Sequence, residues 1–581
     1  MHRPKSLDGL RTVIIQSVQE KDYERSSAFL KKNPDASREE IEEAIKKGEL
    51  PRWYPREQAP VLDQFVKSGK MGSVASRVGP EPLVTRPLDG IHNYGGVWLM
   101  YLNGPSTGVV GFFMERVNMP TLFRFSPTGY PIVPNLAKSY EVKDGGRVWE
   151  ITLRKARWSD GAPFTSEDIL YWYNDEVFSK ERKSSGKLHD YFMDRQGQAK
   201  IEKIDDYRFR VIFHEPRGDF LEYMCLTGYI TIRPSHYLKK FHPKYADMDY
   251  VESLRKKYAL RDAHEVYNHM SYVNNPARPT LGLWMLRRYR TMSPISYVRN
   301  PYYFAVDEDG RQLPYMDRVQ VELVDAKMLP MFAGNGRATF QPVLLRPSHY
   351  TELAAKAEEN NFRILGWLAG IRCNWTIHPT IDRFVSEKDP QTELKAKLLA
   401  RKEFRQALSM GLDREELVRA VFEGQADPGQ VDPGPYSEYS SEKLRNAYVK
   451  LDPMRANRML DDLWREFGLD PSIRKSGYRV DRNGEPLNFY LLFGDKTGGD
   501  PAQFVVDDWK NHLGIRCIAQ GLSSGLLMTR RSLRDLDFFI YDSGSDNVPY
   551  LAPQSFVAAN GGANYALRWA HWVQNGGMLG H

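Results

Sequence analysis

The sequence contains very little cysteine. Only three cysteines occur among 581 residues, at Cys225, Cys373 and Cys517, and none lies close to another. The absence of a CxxC pair excludes a zinc ribbon and a thioredoxin-type redox site. Isolated cysteines of this kind are typically small buried apolar side chains. Their scarcity fits a reducing compartment and equally an exported bacterial protein that avoids thiols.

Long hydrophobic runs are also missing. No stretch of about 18 consecutive apolar residues occurs, so the sequence predicts no transmembrane helix. The N-terminus is basic, and its apolar run, residues 13–15, is shorter than the core of a signal peptide, which has roughly 7–15 residues. The chain is therefore expected to be either cytoplasmic or exported by a signal that this sequence does not include.

The chain also lacks a large excess of charge of either sign. The 81 Lys and Arg residues only slightly outnumber the 74 Asp and Glu residues, which gives a net charge of +7 spread over the chain. A nucleic-acid-binding protein more often concentrates its basic residues on one face, so no nucleic acid is expected as a partner. The apolar fraction of 41% is ordinary for a globular protein, and an aromatic fraction of 12% excludes disorder for most of the chain.

Catalytic and cofactor motifs are largely absent. There is no HExxH, no phosphate-binding loop and no GxGxxG at the start of a predicted helix, so no metal and no cofactor are expected. Three short matches, at 184–187 (SxxK), 496–498 (KTG) and 545–547 (SDN), resemble the motifs of serine β-lactamases. Their order along the chain is wrong, because KTG precedes SDN. A β-lactamase-like enzyme is therefore an alternative, while the main prediction is that the chain is not an enzyme.

The sequence does contain a charged helical extension at its start. Ser37 and Glu40 form a predicted capping box, in which each side chain accepts a hydrogen bond from a free backbone N–H. Gly48 is the expected end of that helix. Residues 50–93 are rich in proline and glycine and lack periodicity, so we expect an ordered arm that leads into the main fold.

Strand and helix patterns alternate through the remainder of the chain. The first clear strand is expected over residues 97–102. A hairpin is expected within residues 140–153 with its turn at 144–146, because Asp-Gly between alternating segments favours a hairpin. Capped helices are expected to start at Thr165 and Asp413. The pattern predicts a mixed α/β fold.

One block of the sequence carries a family resemblance. Residues 131–169 contain a proline, Leu-Ala, an Asp-Gly turn, Leu-Arg and the run Trp-Ser-Asp-Gly-Ala-Pro-Phe-Thr. From residue 94 onward the chain resembles the family 5 extracellular solute-binding proteins of ABC transporters, the dipeptide- and oligopeptide-binding group. The matching residues of the strongest run are Trp158, Ser159, Asp160, Gly161, Pro163, Thr165 and Asp168. We interpret this run as scaffold rather than ligand contact.

Weaker matches to the same family follow in the right order. They lie at residues 281–284, 300–303, 313–317 and 404–415. The segment after Phe332 lacks the aspartate that the family usually has there. The family's last helical stretch also has no counterpart, so a truncated tail is expected.

The resemblance implies a two-lobed α/β fold of the periplasmic-binding-protein type II (Venus flytrap) class, with mixed sheets and an N-terminal helical extension. The expected boundaries are 1–90 for the extension and arm, 91–326 for lobe I and 327–556 for lobe II. Residues 557–581 are expected to return to lobe I.

The resemblance also implies a function. The chain would be the substrate-binding receptor of an ABC importer, a monomer that captures a peptide-like solute between its lobes and delivers it to membrane permease subunits. It would work in the periplasm or attached to the cell surface. An oligosaccharide is the alternative ligand. A scaffold or chaperone role is a further alternative, which only the missing export signal favours.

Asp546 is the first predicted ligand-binding residue. In peptide binders of the family, an aspartate in a Trp-x-x-Asp-x-x-x-Pro run pairs with the ligand's amino terminus. Residues 543–549 are similar, with Ser543 in place of the tryptophan. Tyr541 ends the preceding predicted strand, so the resemblance implies that Tyr541, Ser543 and Asp546 contact the ligand.

Aromatic walls are the second part of the predicted site. Trp367 and Trp375 flank a stretch that resembles the family's second-lobe strand, and Asn374 matches the asparagine that ends it. Tryptophan rings there could stack on the apolar faces of a sugar. Asn103, which follows the first predicted strand, completes the predicted set of binding residues.

Overall fold

The computed structural model divides the chain into two compact units. The N-terminal unit comprises residues 2–345 and 356–363, and the C-terminal unit comprises 346–355 and 364–581. The structure describes residues 14–15, 18–87, 90, 93–103, 110–111, 113, 117–126, 129–181, 188, 190–227, 231–287, 293–366, 373–434, 437, 439–494, 499–543, 549–550, 553–575 and 577.

The N-terminal unit combines short helices with several small sheets. Its α-helices are Glu20–Lys32, Arg38–Lys46, Asp63–Lys67, Val74–Val78, Ser166–Tyr171, Phe220–Thr227, Ser235–Leu238, Met248–Lys257, Ala263–Ser271 and Leu329–Gly334. Its strands are Ile14–Ile15, Leu83–Arg86, Val97–Leu102, Phe123–Ser126, Gly129–Pro134, Ala137–Lys143, Val148–Leu153, Met193–Asp194, Gly197–Gln198, Lys200–Asp205, Arg208–Ile212, Trp284–Leu286, Ile295–Arg299, Ala305–Asp307 and Arg318–Leu323.

Local sequence signals fold as expected in this unit. Ala137–Lys143 and Val148–Leu153 pair antiparallel around the turn Asp144–Gly146. Gly145 has φ +62°, a left-handed conformation that glycine adopts without a Cβ penalty. Ser37 and Glu40 form the predicted capping box, with the Ser37 N–H donating to the Glu40 carboxylate at 2.7 Å.

The N-terminal extension is part of the N-terminal unit's own architecture. Leu83–Arg86 pairs in parallel with Ala305–Asp307, more than 200 positions later in the chain. The Arg154 guanidinium donates to the Tyr23 hydroxyl at 3.0 Å, and Lys138 pairs with Glu20 at 2.8 Å. The arm is therefore ordered, as the sequence predicts, because strand pairing and buried polar contacts hold it.

The Trp158–Asp168 run leads into the helix Ser166–Tyr171 and caps its N-terminus. The buried Asp168 carboxylate accepts hydrogen bonds from the Trp158 indole at 3.0 Å, the Thr165 N–H at 3.1 Å and the Ser235 hydroxyl at 2.7 Å. Trp158 is only 2% exposed. These contacts are structural, which agrees with our interpretation of this run as scaffold.

The C-terminal unit is built on one mixed four-stranded sheet. Its strand order is Cys373–Pro379, Phe538–Ser543, Phe489–Gly494, Cys517–Leu522. The first pair is antiparallel and the other two are parallel. The α-helices of the unit are Tyr350–Ala357, Gln391–Ala400, Lys402–Met410, Arg414–Phe422, Glu442–Arg445, Pro453–Glu466, Asp500–Asp508, Ser524–Ser532 and Leu567–Gln574. A core of large apolar side chains, including Trp464, Trp509, Phe489 and Phe538, packs five of these helices against the sheet: Gln391–Ala400, Lys402–Met410, Arg414–Phe422, Pro453–Glu466 and Asp500–Asp508.

The last helix lies in a different place from the one expected. The expectation that residues 557–581 return to lobe I differs from the structure, which groups Leu567–Gln574 with the C-terminal unit. The Ile381 N–H donates to the Tyr565 carbonyl at 2.9 Å, and the Arg568 N–H donates to the Asp382 carboxylate at 2.5 Å. The boundary near residue 327 also moves, because Leu329–Gly334 belongs to the N-terminal unit.

Within the described residues, the helices are all too short or too polar to cross a bilayer.

Candidate functional site

The candidate site is centred on the antiparallel strands Cys373–Pro379 and Phe538–Ser543. Their register pairs Cys373 with Ser543 and Thr376 with Tyr541. Between these pairs, two residues on one strand, Asn374 and Trp375, face a single residue on the other, which defines a β-bulge. Four predicted binding residues, Tyr541, Ser543, Asn374 and Trp375, therefore lie within one short stretch of paired backbone.

A buried ionic network holds the start of the strand that carries Tyr541. Asp537, directly before this strand, accepts hydrogen bonds from Arg383 Nε and from the Tyr490 N–H, and its Oδ2 lies 3.3 Å from Lys395 Nζ. The side chains of Asp537 and Lys395 are 1% and 2% exposed. Because buried charges are tolerated only when paired, this network ties three segments to the sheet.

The two described aromatic rings of the site have different surroundings. Tyr541 is 40% exposed, with its ring centroid 6.2 Å from that of the buried Phe539. Trp375 is half-buried and packs against the core of the C-terminal unit. Its indole Nε1 is buried, and no described residue accepts a hydrogen bond from it. Tyr541 therefore offers a free ring face, whereas Trp375 offers mainly an unused donor.

The remaining predicted residues are not brought to this strand pair by any described contact. Asn103 belongs to the N-terminal unit, where its Nδ2 donates to the Val324 carbonyl at 3.1 Å beside the ends of two parallel strands. Asp546 and Trp367 lie outside the described residues, as do the side chains of Ser543 and Asn374. The β-lactamase-like matches at 184–187, 496–498 and 545–547 also lie outside the described residues.

Sequence reasoning missed a basic concavity in the C-terminal unit. This concavity has a volume of about 600 Å³, and its lining residues are Arg383, Phe384, Val385, Ser532, Arg534, Leu567, Arg568 and His571. Four of these are basic and none is acidic. The cluster of arginines at 530, 531 and 534 was a signal in the sequence. Only Arg534 of this cluster lines the concavity with Arg568, and their proximity depends on the placement of the last helix.

The described residues show no group of three side chains that could hold a metal ion. The two thiols that the structure describes are not expected to be reactive groups either. Cys225 and Cys517 are buried, and burial raises the pKa of Cys225 to about 12 and also raises that of Cys517.

Comparison with known proteins identifies the family. The model of the bacterial extracellular solute-binding proteins, family 5 Middle, matches residues 131–565. The chain belongs to this family. The predicted family and the predicted mixed α/β periplasmic-binding-protein fold are thereby confirmed.

Individual relatives support the assignment. The structure of an oligopeptide-binding protein OppA matches with 30% identity and a TM-score of 0.66, covering 94% of this chain and 84% of that one. The periplasmic alpha-galactoside-binding protein of Rhizobium meliloti (strain 1021) is 29% identical over 402 residues, which are 64% of this chain and 54% of that relative. The chain thus spans about half the length of this relative.

A third match is the periplasmic binding protein MelB from Agrobacterium fabrum C58, solved in complex with stachyose. It has a TM-score of 0.62 at 22% identity, and the match covers 84% of this chain and 73% of MelB. This match supports the fold. The names of these matched proteins describe binding proteins, which agrees with the prediction that the chain is not an enzyme.

Proposed function

We propose that the protein is the substrate-binding receptor of an ABC importer, which captures a peptide-like solute and delivers it to a membrane permease. The family match over residues 131–565 carries this proposal. The similarity to an oligopeptide-binding protein over 94% of the chain supports a peptide as the ligand. In this proposal the receptor acts as a monomer outside the cytoplasmic membrane, where it meets its ligand.

The bulged strand pair supplies the ligand contacts in the C-terminal unit. Tyr541 presents an exposed ring, and the buried Nε1 of Trp375 is a donor without a described acceptor. Bulges often lie beside binding sites, where they change the direction of a side chain. Asp546, three residues beyond the strand, would pair with the amino terminus of a bound peptide. Trp367, Asn374, Ser543 and Asn103 remain proposed contacts on the strength of the family resemblance.

An oligosaccharide is the second candidate ligand. A relative at 29% identity is named for binding alpha-galactosides, and MelB was solved with stachyose. A tyrosine ring can cover the apolar face of a sugar while its hydroxyl bonds to a sugar oxygen. The exposed Tyr541 is compatible with this mode of binding.

Calorimetric titration with a mixture of tri- to pentapeptides and, separately, with stachyose tests the proposal. We expect saturable binding of one ligand class. Tyr541→Ala should weaken that binding at least tenfold, because it removes a ring face from the site. The matched control is Tyr272→Ala, which removes another exposed tyrosine in the N-terminal unit. Equal affinities of the two variants would exclude Tyr541 from the site.

Asp546 has its own test. If its carboxylate pairs with a peptide's amino terminus, wild-type protein should prefer a free tetrapeptide over its N-acetylated form. Asp546→Asn should abolish this preference, because a neutral amide makes no ion pair with an ammonium group. Asp507→Asn, at an exposed helical position, should leave the preference intact. A preference that survives Asp546→Asn would contradict the assignment.

A further inference from the structure

A second cavity lies within the N-terminal unit. It has a volume of about 190 Å³, and Arg278 and Asp160 both line it. We call it the Arg278 cavity. One water occupies about 30 Å³ in the liquid, so this volume can hold a small organic molecule.

The Arg278 guanidinium forms no direct ion pair within the described part of the chain, although the charge of Glu176 acts on it. Its Nε is buried, and no described residue accepts a hydrogen bond from this atom. The nearby carboxylate of Glu176 is already engaged, because it accepts hydrogen bonds from Arg233 Nε at 2.8 Å and from the Tyr267 hydroxyl at 2.6 Å. The charge of Glu176 therefore attracts both Arg233 and Arg278, but only Arg233 is hydrogen-bonded to it. Arg278 lines the cavity without an ion pair of its own.

The charge of Arg278 persists at neutral pH. Burial, together with the charge of Arg233, lowers the pKa of Arg278 to about 10, which still leaves the guanidinium protonated at pH 7. Arg278 is half-buried, and its buried Nε has no acceptor, which is unfavourable for a charged group; an anionic ligand would reduce this penalty.

Asp160 places a negative charge on the wall of the same cavity. Its Oδ2 lies 2.8 Å from His236 Nε2, and its side chain is 43% exposed, so part of the carboxylate is accessible. Burial is the largest single influence and opposes ionisation, but the hydrogen bond and charge of His236 together with the backbone N–H of Ala162 outweigh it, so the pKa of Asp160 is lowered. A dianion such as phosphate would therefore meet both attraction and repulsion, whereas a zwitterion would satisfy both charged groups.

The rest of the wall is joined by hydrogen bonds and is partly apolar. The Ser159 N–H donates to the Thr280 carbonyl at 2.9 Å, and the Thr280 N–H donates to Ser159 Oγ at 3.0 Å. These reciprocal bonds join the loop that carries Asp160 to the segment that carries Arg278. Apolar lining comes from Val273, Met285 and Leu286. Apolar walls with a few placed polar groups are typical of small-molecule sites.

We propose that the Arg278 cavity binds a small aliphatic amino carboxylate, with its carboxylate on Arg278 and its ammonium group on Asp160. The guanidinium fork matches a carboxylate through two parallel hydrogen bonds. All lining residues of this cavity belong to the N-terminal unit, and none of them is a proposed contact of the solute site.

Calorimetric titration of the full chain with L-valine and with 5-aminopentanoate tests the proposal. The two probes carry the same charged groups at different separations, and we expect at least one to bind saturably. For valine the deletion analogues are isovalerate, which lacks the ammonium group, and isobutylamine, which lacks the carboxylate; for 5-aminopentanoate they are pentanoate and butylamine. Each should bind at least tenfold more weakly than its parent. The absence of saturable binding by both probes would overturn the proposal.

Variants locate the binding in the molecule. Arg278→Gln should weaken binding of the amino carboxylate at least tenfold, while Arg287→Gln, which removes an exposed arginine nearby, should not change it. Wild-type protein should prefer the amino carboxylate over the analogue that lacks the ammonium group, and Asp160→Asn should abolish this preference. This variant provides a second test if Arg278→Gln does not fold. Unchanged binding in Arg278→Gln, or an unchanged preference in Asp160→Asn, would overturn the proposal. Binding of the peptide or oligosaccharide ligand should persist in Arg278→Gln, which separates this site from the proposed receptor function.

Discussion

At the scale of single residues, Asp537 is a buried charge on which two buried cations of the C-terminal unit depend. Asp537→Ala would leave Arg383 and Lys395 buried without their common partner. Breaking a buried ion pair in this way costs about 3–5 kcal/mol, so the free energy of unfolding should fall by about that amount. Urea denaturation measures it.

The control for this prediction is an exposed ion pair. Glu393 pairs with Lys397 at 2.6 Å on a helix surface, with both side chains more than half exposed. Pairs of this kind contribute little in water, so Glu393→Ala should not measurably shift the urea midpoint. Equal midpoints for Asp537→Ala and Glu393→Ala would show that the buried network is not important for stability.

The buried thiols give a prediction that depends on pH. The thiolate is the reactive form of cysteine, and burial raises the pKa of Cys225 to about 12. At pH 8 Cys225 is therefore almost entirely protonated in the folded state, and Cys517 is protonated for the same reason. Both should resist Ellman's reagent in native protein and react after denaturation, as peptide mapping would show. If Cys225 or Cys517 reacted in the native protein as fast as a free thiol, the prediction would be contradicted.

At the scale of secondary-structure elements, Gly282 allows a close approach that positions a strand. Asn118 holds the start of strand Trp284–Leu286, because its Oδ1 accepts from the Trp284 N–H at 2.8 Å and its Nδ2 donates to the Trp284 carbonyl at 2.5 Å. A Cβ at Gly282 would lie 1.8 Å from the Asn118 carbonyl oxygen. Gly282→Ala must displace Asn118 and should cost about 1–3 kcal/mol or more.

Gly218→Ala is the matched control for Gly282→Ala. A Cβ at Gly218 would meet no atom within 4 Å, and both substitutions reduce the entropy of the unfolded chain equally. Thermal unfolding should show a lower midpoint for Gly282→Ala alone. If the two midpoints agreed, the contact with Asn118 would be unimportant.

Elements that local sequence determines were predictable, and those set by distant partners were not. The hairpin around Asp144–Gly146 and the caps at Ser37 and Thr165 depend on residues a few positions apart. The pairing of Leu83–Arg86 with Ala305–Asp307 depends on segments far apart in the sequence, so no local pattern could reveal it.

The same distinction applies to the candidate site. Family resemblance pointed to Tyr541 and Trp375, and the structure places both on one strand pair. The β-bulge at Asn374 and Trp375 could not be predicted from the sequence of either strand alone, because it depends on how the two strands pair. Arg278 was overlooked because a single arginine in a sequence looks like surface charge, and only the fold shows that its Nε is buried without an acceptor.

At the scale of the whole molecule, the proposed function requires a location outside the cytoplasmic membrane. A receptor must meet its solute on the outer side of its permease. Osmotic shock of the native host should release the protein with periplasmic markers, or leave it with the cell envelope if it is anchored. Recovery only with cytosolic markers would contradict the transport function.

The central claim is that the protein binds a solute and releases it unchanged. Mass spectrometry of the ligand released from the protein tests this claim most directly. Wild-type protein would be equilibrated with the peptide mixture and with stachyose, separated from free ligand, and denatured to release what it holds for mass spectrometry. We expect one ligand class at about one molecule per chain, with its mass intact, because a receptor binds without chemistry. Failure to retain either class, or release of cleaved products, would contradict the proposal that this protein is a solute receptor.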